Sequence, residues 1–156
     1  MVVGVTGHQD IPSTAVDYIK RALDTEITAI PGLVGVCSLA AGGDQLFAEA
    51  LLKHGGVLNV VVPCLAYETA FSREADRAEY ARLLEKADDV VRLEYPEPSE
   101  EAFFAAGMQI VDMADKLIAI WDGRPARGHG GTADVVEYAS GHKKTVVVIW
   151  PEGVER

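Results

Sequence analysis

"KLIAIWDGRPARGHGGTADVVEYASGHKKTVVVI", residues 116–149, decides the fold. It opens with a short apolar run, passes through a glycine-rich turn, continues with helical periodicity and closes on a β-branched run. Apolar runs of this length, without alternation, read as strands buried on both faces. A strand, a helix and a second such strand in that order form a parallel crossover unit.

The same unit recurs toward the N-terminus. "VVGVT", from Val2 to Thr6, is a first strand, and "STAVDYIKRALDTEITAI" follows with Val16, Ile19, Leu23 and Ile27 at helical spacing and Ser13 or Thr14 as cap. "PGLVGVCSLA" restarts as a strand. "GGDQLFAEALLKHGG" carries Leu46, Phe47, Ala50 and Leu51 on one helical face. "VLNVVVP" is a third strand, and "SREADRAEYARLLEKA" a helix whose predicted buried side is Ala75, Ala78, Leu83 and Leu84. "DDVVRLE" is a weaker strand, before a helix opened by Pro98 and Ser99. The fold class is therefore α/β: one Rossmann-like, doubly wound, mainly parallel sheet with helices on both faces, a single domain over residues 1–156.

Ligands of such sheets bind outside the carboxyl ends of the strands, where strand order reverses. Three strand ends carry unusual loops: Thr6, Gly7 and His8 after the first; Ala41, Gly42, Gly43 and Asp44 after the second; and the long turn after "KLIAIW". That turn holds Asp122, Gly123, Arg124, Arg127, Gly128, Gly130, Gly131 and Thr132. Glycine leaves no Cβ between backbone and ligand, and a helix N-terminus offers unpaired N–H groups to an anion. For the loops to line one pocket, the first strand must lie beside "KLIAIW", giving the order fourth, third, second, first, fifth, sixth. The expected ligand is a nucleotide or nucleotide-like small molecule.

Several residues admit two readings. Arg124 and Arg127 either fork onto a phosphate or are solvated, and Thr132 either caps its helix or donates its hydroxyl. Asp44 is a cap or a partner for a ribose hydroxyl. His8 and His129 could meet across the pocket, but no metal is expected, because Cys37 and Cys64 are not placed to help and no ligand spacing recurs. No cofactor is implied. Both cysteines read as reduced and buried.

The formal net charge is −10, which argues against nucleic acid as a partner. No stretch approaches the length of a membrane span, so the expectation is a cytoplasmic protein without membrane contact. Phe103, Phe104, Met108, Ile110 and Met113 surround one helix more fully than a single buried face needs, which leads to the expectation of a homodimer.

"VVGVTGHQD", "SLAAGGDQLFAEALL" and "ADKLIAIWDG…GHGGTADVVEYASGHKKTVVVI" together resemble the SLOG superfamily over nearly the whole chain. That group embraces DprA, the LOG ("lysine decarboxylase-like") phosphoribohydrolases and nucleotide-sensing domains. The resemblance implies that the matched loops bind nucleotides or their derivatives. "ADKLIAIWDG…GT…YA…KKTVVVI" is also similar to nucleoside 2-deoxyribosyltransferases. Both enzyme groups place a glutamate three residues beyond the threonine; here that position is Val135, with Asp134 before it and Glu137 after it. Cleaving an N-glycosidic bond needs a carboxylate beside the oxocarbenium-like centre, and valine cannot serve. The resemblance thus implies a binding domain of the kind that serves as a sensor. The alternative is an N-glycoside hydrolase or transferase acting on a nucleoside monophosphate, with Asp134 or Glu137 as its catalytic carboxylate.

Overall fold

A computed structural model describes residues 1–125 and 131–156. In chain order the strands are β1 (Val2–Gly7), β2 (Val34–Cys37), β3 (Val57–Val62), β4 (Asp89–Arg92), β5 (Lys116–Ile120) and β6 (Thr145–Ile149). The helices are α1 (Ser13–Thr28), α2 (Gly43–Lys53), α3 (Glu74–Glu85), α4 (Glu100–Met113) and α5 (Thr132–Gly141), with a 3₁₀ turn at Tyr67–Ala70. One six-stranded sheet runs β4-β3-β2-β1-β5-β6, the order required for the loops to meet. Every pairing is parallel, with Val3 beside Lys116 and Gly35 on the two sides of β1 and Gly7 opposite Ile120.

Alternation along the strands divides the core between two faces. Val3, Val5, Leu58 and Val60 pack beneath α1 and α2 against Ile19, Leu23, Phe47 and Leu51. Val36 and Val61 point the other way, to Ala106 and Ile110 of α4. Leu117 meets Val111, Val135 and Ala139 of α4 and α5. Cys37 and Cys64 are free and buried.

Local expectations hold best where helices cover the middle of the sheet. Ile19, Leu23 and Ile27 are buried in α1, with Ala15 rather than Val16 completing the row. The cap differs: Pro12 occupies the N-cap position of α1, and no side chain accepts there. In α3 only Tyr80 and Leu83 are buried, while Ala75 and Ala78 are exposed. The reason is aromatic: Tyr80 stacks on Phe71 at 5.0 Å and meets Tyr67 edge-on at 5.2 Å, so large rings set the orientation. On α4, Ile110 is buried, Phe103, Phe104, Met108 and Met113 are half-buried, and Phe104 lies edge-on to Tyr138 of α5.

Ser99 caps α4, its hydroxyl accepting from Ala102 N at 3.0 Å. Ser99→Ala is expected to lower unfolding free energy by about 1 kcal/mol, read from a urea titration with unchanged m value. No described helix is long and apolar enough to cross a membrane.

Candidate functional site

A cavity of about 590 Å³ opens at the carboxyl ends of the central strands. Thr6, Gly7, His8, Gln9 and Asp10 of the β1 loop line it, as do Ser38 and Ala40 after β2 and Asp44 of α2. Pro63 and Tyr67 contribute from the β3 end, Glu100 and Phe103 from α4, and Trp121 and Arg124 from the turn after β5. Gly131, just before α5, lines it too, with Thr132, Ala133 and Val135 of α5 and Arg156, while Val5, Gly107 and Ile110 form its floor side. Arg127, Gly128, His129 and Gly130 lie outside the described residues.

The three turns converge, yet they offer different things. At the first, His8 N–H donates to Ile120 O at 3.0 Å. At the second, Gly43 N–H donates to His8 O at 3.0 Å, which latches α2 onto the β1 loop. The glycine at position 42 answers to packing: its φ is +81°, and a Cβ there would fall 2.3 Å from Gln9 O. Ala41, Gly42 and Gly43 do not line the cavity. The third turn leads into α5, whose first residues Thr132 and Ala133 line the cavity and, as the opening turn of a helix, carry N–H groups without intrahelical partners. In the first two turns the amides of His8 and Gly43 are thus not bare but hold the protein together.

Asp44 makes that internal use plain. Leu39 adopts φ +56°, an unusual value for a bulky residue, and the N–H groups of Ser38 and Ala40 on either side both donate to Asp44 Oδ2 at 3.2 Å. The protein's own carboxylate thus fills the anion nest of the second loop. Asp44 is 5% exposed, and burial pushes its pKa up to about 7 although the Ala40 and Ser38 amides pull the other way. Its Oδ1 makes no hydrogen bond among the described residues.

At the opposite end, His8 Nε2 lies 3.1 Å from Asp122 Oδ1 and 3.2 Å from Asp122 N. With Nε2 protonated the ring donates to the carboxylate; unprotonated, it accepts the backbone N–H. Arg156 Nε donates to Asp122 Oδ2 at 3.0 Å, and its Nη1 lies 3.4 Å from His8 Nδ1. Trp150 meets the His8 ring edge-on at 5.5 Å. Burial alone would raise the Asp122 pKa, but the hydrogen bonds from Arg124 N–H, His8 and Arg156 hold it below the usual carboxylate range. Asp122 is thus engaged inside the protein. Arg124 pairs with Glu155 at 3.0 Å, with its side chain 60% exposed. Gly123 turns the chain at φ +83° beside them.

Asp134 is half-buried and Glu137 exposed, and neither lines the cavity; Val135 between them does, packed on Gly107. Among the described residues no group of three or more His, Cys, Asp and Glu could hold a metal. Arg156, Tyr67, Phe103 and Glu100 were not singled out from sequence as site residues. The last three were within reach, since every helix or turn that follows a parallel strand begins at this rim. Arg156 gave no local signal.

No family model and no curated protein sequence matches the chain. Solved structures do. DNA processing protein A (DprA) from Streptococcus pneumoniae superposes with a TM-score of 0.70 at 20% identity, covering 94% of this chain and 49% of that one. DprA from Helicobacter pylori, described for its single-stranded DNA binding mode, gives 0.69 at 14% identity over 95% and 64%. The Chlamydomonas rheinhardtii Moco carrier protein gives 0.58 at 17% identity over 94% and 74%. The chain therefore has the Rossmann-like fold seen in DprA, and it spans 49% and 64% of the two DprA chains.

This likeness corrects the exclusion of nucleic acid. A single-stranded DNA binder shares the fold, and net charge is a sum over the whole surface, whereas binding is decided by the local face. Here Arg124 and Arg156 reach one cavity despite a chain charge of −10.

Proposed function

We propose that the cavity binds a nucleotide or nucleotide-derived molecule, its phosphate at the α5 end and its base toward β2 and β3. The observation that carries this reading is that the N-terminus of α5 lines the same cavity as Arg124 and Arg156. Unpaired N–H groups, the positive helix end and a guanidinium fork suit an anion. The exposed Arg124–Glu155 pair is worth little by itself and releases its cation readily to a phosphate.

AMP is the first probe. Saturating AMP is expected to raise the melting temperature, since about 2.7 kcal/mol accrues at roughly a hundredfold excess over Kd. Arg124→Ala is expected to weaken AMP binding about tenfold by calorimetry while leaving the ligand-free melting temperature in place. Equal affinity in the variant removes the arginine from the site. Free adenine in the same incubation, lost in Asp134→Ala or Glu137→Ala, assigns the hydrolase alternative instead.

A second reading, binding of single-stranded DNA, is favoured by the likeness to the DprA structures. Fluorescence anisotropy with a labelled oligonucleotide tests it. Affinity that falls steeply with salt supports this reading, and no binding at low salt removes it.

A further inference from the structure

The cavity is chemically different at its two ends. Arg124, Arg156 and the start of α5 lie beyond β5, whereas Asp44 follows β2 and Tyr67 follows β3. Neighbouring strands are about 4.8 Å apart, so β5 and β2, two places apart, are separated by about 10 Å, within the span of one nucleoside monophosphate. The far end is also where the rings are. Tyr67, 3% exposed, meets Phe103 of α4 at 6.3 Å, and both line the cavity.

Within that aromatic end, Asp44 offers a free acceptor. Its Oδ2 already accepts two backbone N–H bonds, the capacity of its two lone pairs. Its Oδ1 has no hydrogen-bond partner among the described residues, although the residue is 5% exposed and lines the cavity. Since Oδ1 is not among the buried atoms left without a partner, it reaches the cavity as a free acceptor. Glu100, at the rim beside Phe103, is a second acceptor. Neither position offers a side-chain N–H.

We infer that Asp44 selects nucleotides whose base carries an exocyclic amine, accepting one amine N–H on Oδ1 while Tyr67 and Phe103 flank the ring. This rests on the nucleotide reading above and adds the base to it. One oxygen is available, so the match is a single amine rather than the paired donors of a guanine edge. An oxo group at the same place would set two acceptors face to face. Once a bound base shuts water away from this oxygen, an analogue that leaves it unpaired is rejected.

The test is calorimetric titration of AMP against IMP, which differ by amine and oxo at one ring position, at pH 8 where the carboxylate is ionised. Wild type is expected to bind AMP at least about tenfold more tightly than IMP. Asp44→Asn keeps an oxygen for the Ser38 and Ala40 amides and puts an amide NH₂ in place of Oδ1. It is therefore expected to reverse the preference toward IMP. Equal affinities of wild type for AMP and IMP, with dAMP weaker, give the carboxylate to the ribose and overturn the inference while the nucleotide reading stands. An AMP preference that survives unchanged in Asp44→Asn removes Asp44 as its source. Binding of neither nucleotide overturns the underlying reading itself. The wild-type comparison needs no variant, so it stands even where Asp44→Asn does not fold.

Discussion

Gly42→Ala is expected to lose about 3 kcal/mol or more of stability, a large share of what a domain of this size possesses. Two costs add. The residue sits at φ +81° and ψ −119°, a conformation essentially reserved for glycine that an L side chain enters at a cost of roughly 1–3 kcal/mol. A Cβ would also stand 2.3 Å from Gln9 O and 2.5 Å from His8 O, both backbone atoms of the β1 loop that cannot rotate aside. Relief requires α2 to withdraw from that loop and break the Gly43 N–H bond to His8 O. Gly123 supplies the control, since its φ is +83° and nothing lies within 4 Å of its Cβ position. Gly123→Ala is expected to show the conformational cost alone, about 1–2 kcal/mol. Urea titration of both variants separates the terms. Equal losses would show that the close approach of α2 to the β1 loop carries no energy.

Asp44→Asn is expected to stabilise the protein at pH 8 and to change little at pH 4. The folded chain holds this carboxyl protonated up to about 7, whereas in the unfolded chain it titrates near 3.8. Between those values the folded state binds more protons, so stability falls as pH rises. The contribution is fully present below the unfolded value and is lost through the folded one. Three pKa units correspond to roughly 4 kcal/mol at 1.36 kcal/mol per unit. The principal cause is loss of hydration on burial, offset in part by the Ala40 and Ser38 amides. The titratable neighbours Cys37 and Tyr67 are themselves pushed up by burial and stay neutral in this range. Subtracting the variant's melting profile from the wild type's at each pH cancels every other titrating group. A flat difference between pH 5 and pH 8 would mean that Asp44 ionises as it does in water.

The strand order was legible because it followed from a functional constraint: loops after the first, second and fifth strands can share a pocket only with β1 between β2 and β5. Helix faces were legible over the sheet's middle, where Ile19, Leu23 and Phe47 have nowhere else to go. At the periphery, alanine spacing on α3 misled, because Tyr80 and its aromatic neighbours outweigh two methyl groups. The glycine loops were found, but their reason was only partly read. Sequence shows that a residue lacks a Cβ and not whether ligand or backbone occupies the space. Arg156 escaped for a different reason: its partners His8 and Asp122 are distant along the chain, and no local pattern links them.

The central position of β1 has a consequence during synthesis. Val34 reaches one edge of this strand early, but the other edge waits for Lys116 and its neighbours. A nascent chain therefore carries a bare, apolar strand border while α2, β3, α3, β4 and α4 emerge from the ribosome. Such borders recruit other chains. Slowing translation just before β5 is where chaperone dependence should be greatest.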